Sequence, residues 1–154
     1  MTVLLNQALA AVRGLKWHNF ELLVAEGFRT QGFSVTHVSA ELEEGPDLVL
    51  VKGERRYVVQ CRGWQEPAVA GTAVLQLYAD MAAKDATSGF IVTAGEVGED
   101  ALQLAQARGI QFIKGAKLLA MLDRARETIT TGMPAHAKWD AAARPVRAGD
   151  TNDF

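Results

Sequence analysis

Between residues 15 and 31 the positions Trp17, Phe20, Val24, Phe28 and Gln31 recur at steps of three and four, with Leu23 beside them. That spacing predicts one broad apolar helix face, and Gly32 follows where a helix stop belongs. Residues 33–38 alternate in polarity and residues 47–52 are almost wholly branched aliphatic, with an acidic loop at 41–45 between them. Both runs read as strands. Only Gly53 and Glu54 separate the second run from a third at 55–61, so a tight turn should pair the two antiparallel. Val74, Leu77, Tyr78 and Met81 share a face of a predicted helix over 72–84, with Thr72 as its N-cap. Strands follow at 89–93 and 110–113, and helices at 99–108, stopped by Gly109, and at 116–126. The predicted order is α-β-β-β-α-β-α-β-α. Three hairpin-linked strands followed by β-α-β crossovers require an α/β fold, a mixed sheet with helices covering its faces.

Two flanking segments fall outside this pattern. In residues 1–14, Leu5, Ala8, Leu9 and Val12 have helical spacing, but Asn6 and Gln7 interrupt a run already far too short to cross a membrane. This segment is expected to pack on the domain, or else on a second copy to form a homodimer. From Thr128 onward the periodicity fails and Thr, Gly, Pro and Ala dominate. The reading is therefore a folded domain over 15–127 and a mobile tail over 128–154, in which Trp139 is the one large aromatic.

Composition narrows the partners. A chain of 154 residues, 49% hydrophobic and 22% charged, is rich enough in apolar side chains to bury one core. Its lone cysteine, Cys61, cannot form an internal disulfide, and no basic, apolar leader opens the sequence, which fits a reducing cytoplasm. The formal net charge of −2 supplies no general attraction to nucleic acid, so any polyanion must be held by a local patch.

The hairpin gathers the candidate chemistry. Pairing symmetric about Gly53 and Glu54 sets residue n against roughly 107 minus n, and so places Asp47 opposite Gln60. Gln60 and Arg62 are two apart on one strand and share a face. A carboxylate, an amide oxygen and the backbone carbonyl of Cys61 make an oxygen-rich corner suited to Mg²⁺, and Arg62 would point at the anion such a metal holds.

These residues resemble the Mrr-like branch of the restriction-endonuclease superfamily, the PD-(D/E)xK nucleases, in a variant with glutamine for the second acid. The resemblance rests on Trp17, Phe20-Glu21 and Leu23-Val24, then Gln31-Gly32-Phe33-Ser34-Val35-Thr36 and Pro46-Asp47-Leu48-Val49-Leu50. It continues through Tyr57-Val58-Val59-Gln60-Cys61, Trp64 and Gly89-Phe90-Ile91-Val92-Thr93, and spans residues 15–122. It implies a restriction-endonuclease-like fold and hydrolysis of DNA phosphodiesters assisted by Mg²⁺ or Mn²⁺, with Asp47 and Gln60 as ligands and Glu21 approaching from the first helix of the domain. The position of the family's catalytic lysine holds Arg62, which can stabilise developing charge but stays protonated and cannot serve as a base. The glycine-rich loop before the aspartate is here Glu41-Leu42-Glu43-Glu44-Gly45, and a commonly basic position is Ala68. Both departures weaken attraction to a phosphate backbone. The rival expectation is a nuclease fold retained as a DNA-binding or protein-interaction module.

The remaining polar residues are less informative. Cys61 alternates toward the core, away from Gln60 and Arg62, which argues against a thiol nucleophile. His18, His37 and His136 lack zinc-ligand spacing. Trp64 is placed where it could stack on a base or sugar. Thr93-Ala94-Gly95 follows a strand as phosphate-approaching turns do. Lys52, Arg55 and Arg56, and separately Lys114 and Lys117, are basic clusters that turns and strand ends ordinarily carry as solvated charge.

Overall fold

The computed structural model describes residues 2–38, 46–62 and 68–131. Its helices are α1 (Thr2–Arg13), α2 (Trp17–Thr30), α3 (Gly71–Ala83), α4 (Glu99–Gln106) and α5 (Gly115–Thr131). Its strands are β1 (Ser34–His37), β2 (Leu48–Lys52), β3 (Arg55–Arg62), β4 (Ala68–Val69), β5 (Ser88–Thr93), β6 (Glu96–Val97) and β7 (Ile110–Ile113). Five strands form one mixed sheet in the order β1-β2-β3-β5-β7. The β1–β2 and β2–β3 pairs are antiparallel, and β3–β5 and β5–β7 are parallel. The α/β architecture is the predicted one.

The two-residue turn sets the hairpin register. Gly53 adopts a φ of 65°, which an L side chain resists, and the pairs run from Lys52↔Arg55 to Leu48↔Val59, each summing to 107. Period-two alternation along β3 then divides its side chains between two cores. Val59 and Cys61 join Phe20, Val24, Phe28, Leu48 and Leu50 on the side of α2 and α5. Val58 joins Val74, Leu77, Met81 and Ile91 on the side of α3 and α4. Leu48 and Leu50 have no exposed surface, and each contributes roughly 1.5–3 kcal/mol of burial free energy.

Helix α2 is buried more widely than a single stripe, with Leu22 and Ala25 enclosed as well as Phe20, Val24 and Phe28. It lies between the sheet and α5, so two sides are covered. Gly27 permits that approach, because a Cβ there would fall 2.5 Å from Met121 Cγ. Gly32, with a φ of 95°, turns the chain out of α2, and Phe33 N–H donates to Phe28 O as the helix closes. Residues 2–13 form a helix packed on α5, and Val12 is buried in the first core. No helix among the described residues is long and apolar enough to cross a membrane.

Four local expectations change. Thr72 is not the N-cap of α3. Ala70 is, without a side-chain bond, and Asp100 Oδ2 of α4 accepts the Gly71 N–H at 3.1 Å. Tyr78 leaves the apolar face and stays 48% exposed beneath the Arg108 guanidinium, 5.5 Å from its ring centre, because Val74, Leu77 and Met81 suffice to cover β3 and β5. The last helix continues past Arg126 to Thr131, and the preceding one stops at Gln106 rather than Arg108. The parallel pair β4–β6 was not anticipated, since two residues per strand carry no periodicity.

Candidate active site

Asp47 sits where β2 begins, and backbone bonds hold it from both sides. Its N–H donates to Val59 O at 2.8 Å and its carbonyl accepts the Val38 N–H at 3.0 Å. Regular pairing therefore stops at Leu48↔Val59, one step before the expected Asp47–Gln60 pair. Pro46 has no N–H with which to extend the ladder, and the Asp47 carboxylate takes up β3 by its side chain, Oδ2 accepting the Cys61 N–H at 2.7 Å. Burial raises the pKa of this carboxyl above its ordinary value. The Cys61 N–H, a side-chain hydrogen bond with Glu21 and the Arg62 charge pull it down, and Asp80 pushes it up.

Gln60 and Arg62 extend from the same face of β3. Gln60 is 9% exposed, and its Oε1 is buried with no hydrogen-bond partner among the described residues. A buried amide oxygen left unpaired costs about 1–3 kcal/mol, so its retention calls for a reason. Arg62 Nη2 donates to Gln76 Oε1 of α3 at 3.3 Å, while its Nε is buried without a partner among the described residues. Glu21, on α2, is 7% exposed and bonded through its side chain to Asp47. Of the residues singled out in the sequence, Asp47 and Glu21 are thus bonded directly, Arg62 acts on Asp47 through its charge, and Gln60 lies beside Cys61 on the same strand. Trp64 and the 41–45 loop lie outside the described residues.

Sequence reasoning missed Gln76 and Asp80. They stand one turn apart on α3, a helix whose only charged residue is Asp80. That i, i+4 polar pair on an otherwise apolar helix was the available signal.

The donor set suits a hard divalent cation. Two carboxylates that share a hydrogen bond need a proton or a cation between them, and the unpaired Gln60 oxygen adds a neutral ligand of the right kind. Among the described residues no three His, Cys, Asp or Glu side chains cluster as a metal site, so amide and backbone oxygens would have to complete this one.

The other candidates find different explanations. Burial pushes the Cys61 thiol well up, with Asp47 and Glu21 adding to the shift, which disfavours the thiolate. Thr93 pairs with Arg62 across the sheet and is fully buried. Its Oγ1 accepts the Gly95 N–H at 2.9 Å, and Ala94 O accepts Arg13 Nη1 at 2.6 Å, so that turn is bound up internally. Lys52 Nζ donates to Gln31 O and lies 5.0 Å from the Phe33 ring centre, and Arg56 Nη1 donates to Lys84 O. These charges at the turn are structural ties. Lys114 and Lys117 line a groove of about 670 Å³ along the edge strand β7 that includes none of Asp47, Gln60 and Arg62. His37 is driven to a pKa of about 4, chiefly by burial and then by Arg29 and His18, so it is a neutral imidazole at pH 7.

Comparison with known proteins yields concordant findings. A family model described as restriction endonuclease, Mrr_cat, matches residues 12–122. No curated protein matches the chain. Among solved structures, AF1548, a protein of unknown function, superposes with a TM-score of 0.60 at 16% identity, covering 90% of this chain and 94% of that one. The MspJI restriction endonuclease, in complex with a 27-mer oligonucleotide, gives a TM-score of 0.60 at 17% identity. That match covers 99% of this chain but 39% of the longer enzyme. At such identities these structures speak for the fold.

Proposed function

The chain belongs to the Mrr catalytic-domain family of restriction endonucleases, and we propose that it hydrolyses DNA phosphodiester bonds with a divalent metal held at Asp47. The observation that carries the reading is the Gln60 Oε1 atom, buried and without a partner among the described residues, on the strand that Asp47 binds. In this reading Asp47 and Gln60, with the carbonyl of Cys61, are the ligands of Mg²⁺ or Mn²⁺, and Glu21 closes the site from α2. A cation held there would supply polarisation of the scissile phosphate and a lowered pKa for the attacking water.

The protein's own groups have separable tasks. The bonds to Val59, Val38 and Cys61 fix Asp47 before any ligand arrives, which removes reorganisation from the reaction. Arg62, steadied by Gln76, stabilises the negative charge that grows on the phosphoryl oxygens. It does not take the water's proton, since a guanidinium remains protonated; that proton passes to solvent or to the phosphate. Arg62 in the lysine's place is also what favours the second reading, a catalytically silent fold kept for binding DNA.

Plasmid nicking by the purified chain in Mg²⁺ and then Mn²⁺, with Asp47→Ala to control for contaminating nuclease, tests the first reading. Cleavage that EDTA and Asp47→Ala both abolish is the expected result. Arg62→Ala should then lower the rate by roughly 100-fold. No cleavage by the native chain, together with strong cleavage by Arg62→Lys, would instead establish the silent fold.

A further inference from the structure

The first acidic residue of this chain is Glu21, and the twenty residues before it carry Arg13, Lys16 and His18. All three are exposed and lie at the junction of α1 and α2. In a protein of net charge −2 this is a local excess of positive charge, and the fold ties both of its ends to the candidate site. At one end Arg13 Nη1 donates to the carbonyl of Ala94, the residue after Thr93, which pairs with Arg62. At the other end Glu21 is hydrogen-bonded to Asp47. Both ends of the junction are therefore bonded to residues at or beside the candidate site.

The junction also breaks a local rule of helix chemistry. Helix α2 starts from Lys16 as N-cap, with no side-chain cap bond and no acidic residue in its first turn, and it carries His18 there. Helix N-termini favour an oxygen cap and negative charge, so the Lys16 cation at this end works against the helix. Lys16 forms no ion pair among the described residues that would offset the penalty. Residues that break a local rule without a folding benefit are expected where function requires them. An arginine carries five N–H donors, and the bond to Ala94 occupies one nitrogen of Arg13.

We propose that Arg13, Lys16 and His18 form a contact surface for the phosphate backbone of DNA, laying the strand across Asp47 and Arg62. This rests on the nuclease reading for its partner but not for its test. Phosphate contacts fix register and orientation without reading sequence, which is the task a site with few charges of its own leaves undone.

The test is binding of the full-length chain to a fluorescein-labelled DNA duplex, by anisotropy, in Ca²⁺ over a series of KCl concentrations. The Arg13→Gln/Lys16→Glu double variant should bind at least tenfold more weakly at fixed salt. Its log–log salt slope should be shallower by about 0.9 for each lost contact. Glutamate suits a helix start, so Lys16→Glu alone should keep or slightly raise the melting temperature while weakening binding. Arg55→Glu, at the far end of β3, should change neither affinity nor slope. Unchanged affinity and slope in the double variant, or no binding by the native chain, overturns the proposal. Plasmid nicking is read separately: a native chain that nicks DNA, with an unaltered salt slope in the double variant, sinks this surface and leaves the nuclease reading intact.

Discussion

At the Arg55 end of β3, Lys52 and Arg56 are tied into the fold by side-chain bonds, whereas at the Arg62 end several buried polar atoms have no partner among the described residues. The strand spans eight residues, so the two ends stand roughly 23 Å apart. Near the turn, Lys52 is bonded to Gln31 and lies over Phe33, Arg56 is bonded to Lys84, and the register is regular to the last pair. At the other end Gln60 Oε1, Arg62 Nε and His37 Nε2, across from Leu48, are buried with no partner among the described residues, and the ladder stops before Asp47. Folding alone rarely leaves such groups unsatisfied. One sheet thus has an end tied down by its own side chains and an end suited, in the proposed reading, to a ligand from outside the chain.

The contrast can be broken most forcefully at Asp47. Asp47→Ala should lower metal-dependent cleavage at least ~100-fold. By orphaning the Cys61 N–H it should also destabilise the fold by about 1–3 kcal/mol. Asp47→Asn keeps an acceptor for that N–H, so urea unfolding should recover most of the stability while nicking stays lost. Gln60→Leu probes the same end with opposite signs. Removing an unsatisfied oxygen should raise stability by about 1 kcal/mol, and half-maximal cleavage should need roughly tenfold more metal. A Gln60→Leu protein with unchanged metal dependence would remove Gln60 from the site.

A smaller effect comes from His37, whose pKa in the folded chain, about 4, lies below its ordinary 6.5. The unfolded chain then takes up a proton that the folded chain refuses. Stability should be level above pH 6.5, decline as the pH falls toward 4, and level off below that. His37→Gln should flatten this part of the curve in thermal melts across pH. The least effect is expected at the turn: Lys52→Ala should cost up to about 1 kcal/mol through its lost bond and ring contact, with nicking unaltered.

The sheet was readable in advance because each hairpin strand is long enough to show its period and a two-residue turn leaves one register open. The grouping of Gln60 with Arg62 followed from that alternation, whereas the register predicted an Asp47–Gln60 pair that the ladder, ending at Leu48↔Val59, does not form. What could not be read is what the folded chain brings from elsewhere in the sequence. Gln76 reaches Arg62 from the next helix, Asp80 acts on Asp47 from the same helix, and Arg13 closes on Ala94 from the segment before the domain. Thr72 was mistaken for a cap because local sequence shows which residue could cap a helix, not that Asp100 already does so. The termination of the ladder at Asp47 likewise needs the competing side-chain bond to Cys61 to be seen.

The Asp100–Gly71 bond also bears on the order of assembly. A helix of 13 residues without a cap of its own is marginal in isolation. The acceptor for its first turn belongs to α4, which emerges from the ribosome after β5. A nascent chain that ends before Glu99 therefore holds the hairpin with Asp47 and Gln60 while the start of α3 still lacks its Asp100 acceptor. The β2–β3 hairpin precedes α4 along the chain, and the bond that caps α3 can form only once α4 is present.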